Sequence, residues 1–326
     1  MTSIKISALE LAVAWEGRDA GQALRAVVED ARRLDRLGAH RLWVAEHHNS
    51  VVISSSSPAV LVSRIAAATS RIRVGSGGVM LNNHAPLAVA EQFATLEALF
   101  PGRIDLGMGR ASGTDPDTAR MLRQGRPMDR DEFESRLVEV RSLLRNSAGV
   151  TPRLDHAPAM YVLGGSPATA ELAGRLGLGL ALAHHLGGAP LEPAIAKYRE
   201  CFEPGHGEPH VIASVTLVLA DTAREGARLY DAVLRMTVDA SRGGTAGLRR
   251  PVPGMCDDLT EEERRAGAEY AAAQLVGGPD EAREGLRRLA AAGVDEVMGL
   301  ATIVDDQARM NSYAVALAAA GQGPPP

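Results

Sequence analysis

The chain has 326 residues, of which 45% are hydrophobic and 23% are charged, so it can bury a large core. Its net charge of −5 and the absence of basic clusters argue against a nucleic-acid surface, which needs concentrated positive charge. No apolar run approaches the roughly 18 residues of a membrane span, and no secretory signal is evident at the N-terminus. We therefore expect a cytoplasmic protein with one domain over residues 1–320 and a disordered tail at 321–326.

Strand-like and helix-like segments alternate along the chain. The predicted strands are, in order, 4–9, 41–45, 72–74, 104–108, 160–163, 179–183, 210–219 and 295–300. Helical spacing of apolar residues predicts helices at 19–37, 59–67, 87–99, 134–144, 168–176, 191–202, 221–238, 280–292 and 305–319. Eight strands with interleaved helices predict an α/β fold, a (β/α)8 barrel rather than an open doubly wound sheet.

Two segments interrupt the alternation. Residues 112–130 form a polar loop after the fourth strand, where barrel enzymes place active-site loops. Residues 240–270 form a longer insertion with glycines, prolines and an acidic run, which makes it a candidate mobile lid. The alternative for this insertion is an irregular excursion without a role.

Three predicted strands end in polar or glycine residues. In a (β/α)8 barrel, the C-terminal ends of the strands form the rim that carries the catalytic residues. His47 follows the second strand, and its imidazole titrates near neutrality, so it can move protons at working pH. A purely structural histidine is the alternative. Residues 75–78 contain three glycines, which removes side chains where a flat molecule can lie against backbone. The alternative there is a tight turn or a bulge.

The segment after the fifth strand reads as a helix opening. Ser166 occupies an N-cap position and Pro167 the first helical position. The unpaired amides beyond them, around Ala168 and Thr169, carry partial positive charge and can hold a phosphate. A plain helix cap is the alternative.

Several residues at first suggest metal or disulfide chemistry. His184 and His185 are adjacent, and neighbouring residues of an extended chain point opposite ways, so the pair is a poor ligand set for one ion. His84 has no carboxylate at ligand spacing. The two cysteines, Cys201 and Cys256, lie outside any paired motif. We predict no metal site, and we assign His184 to the lining of the pocket.

The chain resembles the bacterial-luciferase-like flavin-dependent monooxygenases. The segments that carry the resemblance are Glu46-His47-His48, Asn82 to Pro86, Glu91-Gln92-Phe93 and Pro101 to Gly107, with further matches at 7–10, 163–166, 178–185, 276–279 and 309–313. The resemblance implies that His47 is the catalytic histidine. It also implies a cis peptide bond between Gly77 and Gly78, a flavin phosphate held by Ser166, Thr169 and an arginine best matched by Arg130, and an arginine near the flavin at Arg110. Arg126 is the rival of Arg130.

The cofactor site implied by the resemblance therefore comprises nine residues: Ser76, Gly77, Gly78, Arg110, Arg130, Gly165, Ser166, Thr169 and His184. The implied function is that of a two-component monooxygenase, with secondary metabolism as the expected setting, which takes reduced FMN from a separate reductase and oxygenates a small organic substrate. A homodimer is expected by the same resemblance. The alternatives are a deazaflavin-dependent dehydrogenase or reductase of the same superfamily and a non-catalytic flavin-binding barrel. Gly109 stands where luciferase has a reactive cysteine, so light emission is less supported than oxygenation.

Overall fold

The computed structural model describes residues 4–15, 17–126, 130–146, 149–187, 190–203, 207–244 and 247–323. Its strands are β1 Lys5–Glu10, β2 Arg41–Val44, β3 Arg73–Met80, β4 Ile104–Gly109, β5 Ala159–Leu163, β6 Gly179–Leu182, β7 Val211–Leu219, β8 Leu275–Gly277 and β9 Glu296–Leu300. Its helices are α1 Ala20–Leu37, α2 Pro58–Ala66, α3 Pro86–Leu99, α4 Pro116–Leu122, α5 Arg130–Asn146, α6 Pro167–Arg175, α7 Glu192–Glu200, α8 Ala223–Ser241, α9 Glu261–Ala273, α10 Pro279–Ala291 and α11 Asp306–Ala319.

The eight strands predicted from the sequence form a closed parallel barrel. They pair in the order β1 to β7, β7 pairs with β9, and β9 pairs back with β1. The predicted (β/α)8 barrel is therefore confirmed. Strand β8 was not predicted, and it pairs only with the C-terminal end of β7, where Leu217 aligns with Leu275. A three-residue strand is too short to leave a periodic pattern in the sequence.

Local sequence explains where the elements begin and end. Helix α1 begins after Asp19, whose side chain accepts a hydrogen bond from the amide of Gln22 at 2.7 Å in a capping box. It ends at Gly38, which has a φ of 87° that favours glycine. The observed helix matches the predicted one to within a residue, because both boundaries are set by local chemistry.

The barrel interior is filled by side chains rather than open. Trp43 and Tyr161 meet edge to face with ring centroids 4.9 Å apart, and Leu9, Ile212 and Met298 pack around them. Glycine at position 75 of β3 makes room for this packing, because a Cβ there would lie 2.9 Å from Nε1 of Trp43. The core fills the lower barrel, and barrel enzymes bind their ligands at the C-terminal mouth.

A buried ionic network lies below that core, at the N-terminal ends of the strands. Nη1 of Arg41 lies 2.9 Å from Asp105 and its Nε lies 2.6 Å from Glu296. Tyr161 accepts a hydrogen bond from Arg41 at 2.9 Å, and Ser7 donates one to Glu296 at 2.5 Å. The guanidinium of Arg41 thus joins strands β2, β4, β5 and β9.

The insertion predicted at 240–270 begins as a continuation of α8 and ends in α9. Thr260 caps α9 in a capping box with Glu263, which also pairs with Arg242 at 2.6 Å. Leu248 is 1% exposed and packs with Ala232 and Val304. Most described residues of the insertion are exposed, with Leu248, Leu259 and Gly267 buried, and its role as a lid stays a prediction. So does the disorder of 321–326, of which 324–326 lie outside the described residues.

Candidate active site

The C-terminal ends of neighbouring strands are in register around the mouth of the barrel. Met80 of β3 aligns with Gly109 of β4, Gly109 aligns with Leu163 of β5, and Leu163 aligns with Ala181 of β6. His47 follows β2, and Arg110, Ser166 and His184 follow β4, β5 and β6, so the fold brings these predicted residues to one edge. Ser76 to Gly78 lie within β3, and Arg130 lies at the start of α5. The mouth is therefore the candidate active site.

His47 stands in the mouth just beyond β2. Its parity along the chain matches Trp43 and Ala45, which pack inside the barrel. Its amide donates to the carbonyl of Ser55 at 2.8 Å, and its ring is half-buried. Burial, followed by the charge of His48, lowers the pKa of His47, against smaller opposing effects of Glu46 and of a hydrogen bond to the backbone of Gly113. His47 is thus a mostly neutral imidazole near pH 7.

Glu46, next to His47 in the chain, bonds to groups on both neighbouring loops. Its fully buried carboxylate accepts hydrogen bonds from Nε2 of His48 at 2.9 Å, from Nε2 of His84 at 2.8 Å and from the amide of Met80 at 3.1 Å. Burial alone would raise the pKa of Glu46, but the hydrogen bonds from His84, His48 and Met80 and the charge of His84 outweigh it and lower the pKa. Glu46 is therefore a charged hub that ties the loop after β3 to the loop after β2.

The loop after β4 holds the same turn from the other side. The amide of His48 donates to the carbonyl of Gly113 at 3.0 Å, and Thr114 donates to the carbonyl of His48 at 2.8 Å. Gly113 has a φ of 65°, and a Cβ there would lie 2.6 Å from the carbonyl oxygen of Glu46. This loop belongs to the polar segment that the sequence placed at the active site, and it fixes the backbone that carries His47.

The glycine-rich end of β3 has the predicted cis bond between Gly77 and Gly78. The space inside Gly77 is occupied, because a Cβ there would lie 3.0 Å from both Leu9 and Trp43. Ser76 is fully buried, and its hydroxyl donates to the carbonyl of Gly107 at 2.9 Å and accepts from its amide at 3.1 Å. These residues pack β3 against β4 and the core, and the hydroxyl of Ser76 is used in the barrel wall rather than at the mouth.

The helix opening after β5 is built as predicted. Ser166 accepts a hydrogen bond from the amide of Thr169 at 3.2 Å, and the two hydroxyl oxygens are 3.0 Å apart. Gly165 is exposed, and a Cβ there would meet nothing within 4 Å. The opening therefore has room for a bound group next to the first amides of α6.

The structure describes the side chains of two of the three candidate arginines. Arg110 is exposed just beyond β4, and its carbonyl accepts from Nδ2 of Asn82 at 3.4 Å. Arg130 begins α5, but its side chain lies outside the described part of the structure. Its rival Arg126 is exposed and lies 3.7 Å from Glu132. Of the three, Arg110 is the one placed directly at a strand end of the mouth.

The turn after β6 carries both His184 and His185, and it is held by the insertion. Tyr270 of α9 donates to the carbonyl of His185 at 2.7 Å, and Gln274 donates to the carbonyl of His184 at 3.3 Å. His184 directs its Nε2 toward the carbonyl of Ala273 at 3.3 Å. The assignment of His184 to the pocket lining stays a prediction. Its neighbour His185 bonds a side chain of the barrel interior, Ser214. Helical periodicity alone gave no signal for these contacts, which join residues far apart in the chain.

Comparison with known proteins identifies the family. The sequence model described as luciferase-like monooxygenase matches residues 4–296. The chain belongs to the luciferase-like monooxygenase family. It is 35% identical over 324 residues to a luciferase-like monooxygenase of Escherichia coli, covering 97% of this chain and 96% of that one. It is 32% identical over 272 residues to the N-acetyl-S-alkylcysteine monooxygenase of Bacillus subtilis, covering 79% and 81%. As a member of this family, the protein is an enzyme of the oxidoreductase class.

Solved structures share the architecture of this chain. The crystal structure of apo-MsnO8 superposes with a TM-score of 0.89 at 35% identity, covering 99% of this chain and 100% of that one. Two more distant structures share the fold alone. They are the oxygenating constituent of 3,6-diketocamphane monooxygenase from Pseudomonas putida in complex with FMN, with 20% identity, a TM-score of 0.75 and 96% of each chain covered, and an F420-dependent secondary alcohol dehydrogenase, with 16% identity, a TM-score of 0.71 and 98% and 99% covered.

Within the described residues, no three histidine, cysteine, aspartate or glutamate side chains are grouped in a way that could hold a metal ion. Among the described helices, none is long and apolar enough to cross a membrane.

Proposed function

We propose that this enzyme is a two-component monooxygenase that receives reduced FMN from a separate flavin reductase and oxygenates a small organic substrate. We further propose that it does so as a cytoplasmic homodimer. The observation that carries the proposal is the position of His47, whose largely neutral imidazole lies at the barrel mouth. The open N-terminus of α6 lies at the same mouth. The monooxygenase names of its relatives and the FMN complex of a fold neighbour support the same choice.

In this proposal, different residues of the mouth bind the phosphate of FMN and transfer the proton. Ser166, Thr169 and Arg130 hold the phosphate of FMN, because helix amides and an arginine suit a dianion. The open space at Gly165 fits such a group. When bound, reduced FMN supplies the electrons and the reactivity toward dioxygen. His47 moves a proton at the reacting end of the pocket.

The remaining cofactor residues line the ring-binding part of the mouth in this proposal. Arg110 places a positive charge beside the pocket, and His184 forms part of its wall. Gly77 and Gly78 contribute backbone at the end of β3, and the contribution of Ser76 is limited to its backbone because its hydroxyl bonds to Gly107.

The second candidate is a deazaflavin-dependent dehydrogenase or reductase, which is favoured by the F420-dependent fold neighbours. Two cofactors are to be tested on the purified protein: reduced FMN supplied by an added flavin reductase, and reduced F420. The proposal expects substrate-dependent oxygen consumption and an oxygenated product with FMN only. Hydride transfer from reduced F420 to a substrate, without oxygen uptake, would replace the monooxygenase by the dehydrogenase. Binding of FMN without turnover of any substrate panel would favour a non-catalytic barrel.

A further inference from the structure

His185 lies over the interior of the barrel at its mouth. Its Nδ1 is 2.7 Å from Oγ of Ser214 on β7. Ser214 aligns with Met298 of β9 and shares its parity with Ile212, and both of those side chains pack inside the barrel. The ring of His185 is therefore on the inner side of the sheet, half-buried above the core.

The hydroxyl of Ser214 determines which nitrogen of His185 carries the proton. That hydroxyl donates its own hydrogen to the carbonyl of Leu182 at 3.1 Å. With the hydroxyl hydrogen assigned to that carbonyl, the oxygen accepts from the ring, and we assign Nδ1 of His185 as the N–H donor. This tautomer leaves Nε2 with a lone pair, and Nε2 has no hydrogen-bond partner among the described residues.

The surroundings of His185 keep its ring neutral. Burial, then the charges of His184 on its own turn and of His47 on the loop after β2, lower the pKa of His185 to about 4. From α9, Tyr270 bonds the carbonyl of His185 and not its ring. An imidazole of this kind is a weak base at neutral pH, but it is a good hydrogen-bond acceptor.

We propose that Nε2 of His185 accepts a hydrogen bond from an N–H of the reduced isoalloxazine ring and so makes the site prefer reduced over oxidised flavin. The inference rests on the proposed function, because it takes flavin as the cofactor. Reduction adds one N–H to the central ring, at N5, whereas the oxidised ring presents a nitrogen lone pair at that atom. A lone pair on Nε2 attracts the N5–H of the reduced ring and repels the N5 lone pair of the oxidised ring.

The tautomer is tested without any cofactor. Nitrogen-15 NMR of the histidine-labelled protein distinguishes a ring protonated at Nδ1 from one protonated at Nε2. We expect His185 to be the Nδ1–H tautomer between pH 6 and 8. Ser214→Ala should shift its signals toward a mixture of tautomers. A wild-type ring that carries its proton on Nε2, or that is doubly protonated at pH 7, would overturn the inference.

The preference is tested by titrating the protein with reduced FMN without oxygen and with oxidised FMN. The wild type should favour the reduced form, and Ser214→Ala should diminish the ratio of the two affinities by about three- to tenfold, the effect of one hydrogen bond. The matched control is Ser312→Ala, because Ser312 is also buried and bonds the backbone of β7, at Leu217 and Leu219, away from the mouth. It should leave the ratio unchanged.

The outcomes separate this inference from the proposed function. Equal ratios in the wild type and in Ser214→Ala, with FMN still bound, would overturn the role of His185 alone. Failure of the wild type to bind FMN in either form would overturn the FMN assignment and this role together, whatever the tautomer of the ring.

Discussion

Glu46 and His84 meet at 2.8 Å, between Oε1 of the carboxylate and Nε2 of the ring. The contact joins the loop after β2 to the turn after β3, and Glu46 is fully buried while His84 is partly exposed. His48 reaches the same oxygen. A charge inside the protein thus holds the backbone on both sides of His47.

Replacement of Glu46 by glutamine should destabilise the protein. The lowered pKa of Glu46 means that its charged form stabilises the fold above the ordinary carboxyl pKa, and that this contribution is lost as the pH falls through the lowered value. We expect a loss of about 1.5 to 3 kcal/mol at pH 7 in urea unfolding, because hydrogen bonds to a charged group are removed. The difference from the wild type should shrink in acid. The control Glu29→Gln removes an exposed pair with Arg32 and should change little.

The buried network below the core predicts acid sensitivity of the whole barrel. Burial opposes the charge of Glu296, but Arg41, followed by His210, outweighs it and lowers the pKa of Glu296 to about 2. Its contribution is complete above the ordinary pKa near 4.5 and disappears as the pH falls toward 2. Glu296→Gln removes one of the charged partners of Arg41 and should lower the free energy of unfolding by about 3 to 5 kcal/mol at pH 7. An equal cost for the exposed Glu284→Gln would contradict this reading of the network.

The phosphate position can be tested at the opening of α6. Ser166→Ala should weaken binding of reduced FMN by about 1 kcal/mol, and Arg130→Ala by about 1.5 to 3 kcal/mol, if each supplies a bond to the phosphate. Calorimetric titration measures both. Thr222→Ala removes a comparable cap from α8 and serves as the control for helix stability. Unchanged affinity in both site variants would mean that the phosphate lies elsewhere.

Replacement of His47 should slow product formation without an equal loss of FMN binding. His47→Ala should leave FMN affinity within about threefold while product formation slows by roughly 10² to 10⁴, the range of a general acid or base. A histidine that only packs would lower stability and binding together. Steady-state turnover, FMN titration and thermal unfolding of the same preparation distinguish these roles. Turnover of the variant at the wild-type rate would transfer the proton-moving role to another group of the mouth.

The insertion should be coupled to the turn after β6 through one hydroxyl. Tyr270 bonds both Oγ1 of Thr216 and the carbonyl of His185 at 2.7 Å. Tyr270→Phe should lower the free energy of unfolding by about 1 kcal/mol and speed amide hydrogen exchange at residues 183–187. Tyr230→Phe removes a hydroxyl that bonds Gly267 within the α8–α9 pair. Tyr230→Phe should lower the free energy of unfolding by a similar amount without changing hydrogen exchange at residues 183–187. Equal exchange rates at these residues in the two variants would contradict the coupling.

Local patterns were sufficient for the barrel and for the placement of His47. The capping chemistry of Asp19 and Ser166, and the apolar runs of the strands, are written in consecutive residues. The contacts that complete the site are not. The bond from His185 to Ser214 spans 29 positions and that from Glu46 to His84 spans 38, and neither follows a helical or strand period. The sequence predicts backbone at the β3 glycines for a flat molecule to lie against, and this stays a prediction. That a Cβ at Gly75 or Gly77 would meet Trp43 is revealed only by the three-dimensional packing.

The burial of Trp43 gives this protein an internal optical reporter. The chain has two tryptophans: Trp43 is 1% exposed in the barrel interior, and Trp15 lies under the guanidinium of Arg18 at 3.9 Å. Flavins absorb where buried indole rings emit, so a flavin bound in the mouth, as proposed, would quench Trp43 by energy transfer. Occupancy of the site would then be readable from the intrinsic fluorescence of the unlabelled chain, and Trp15→Phe would isolate the signal of Trp43.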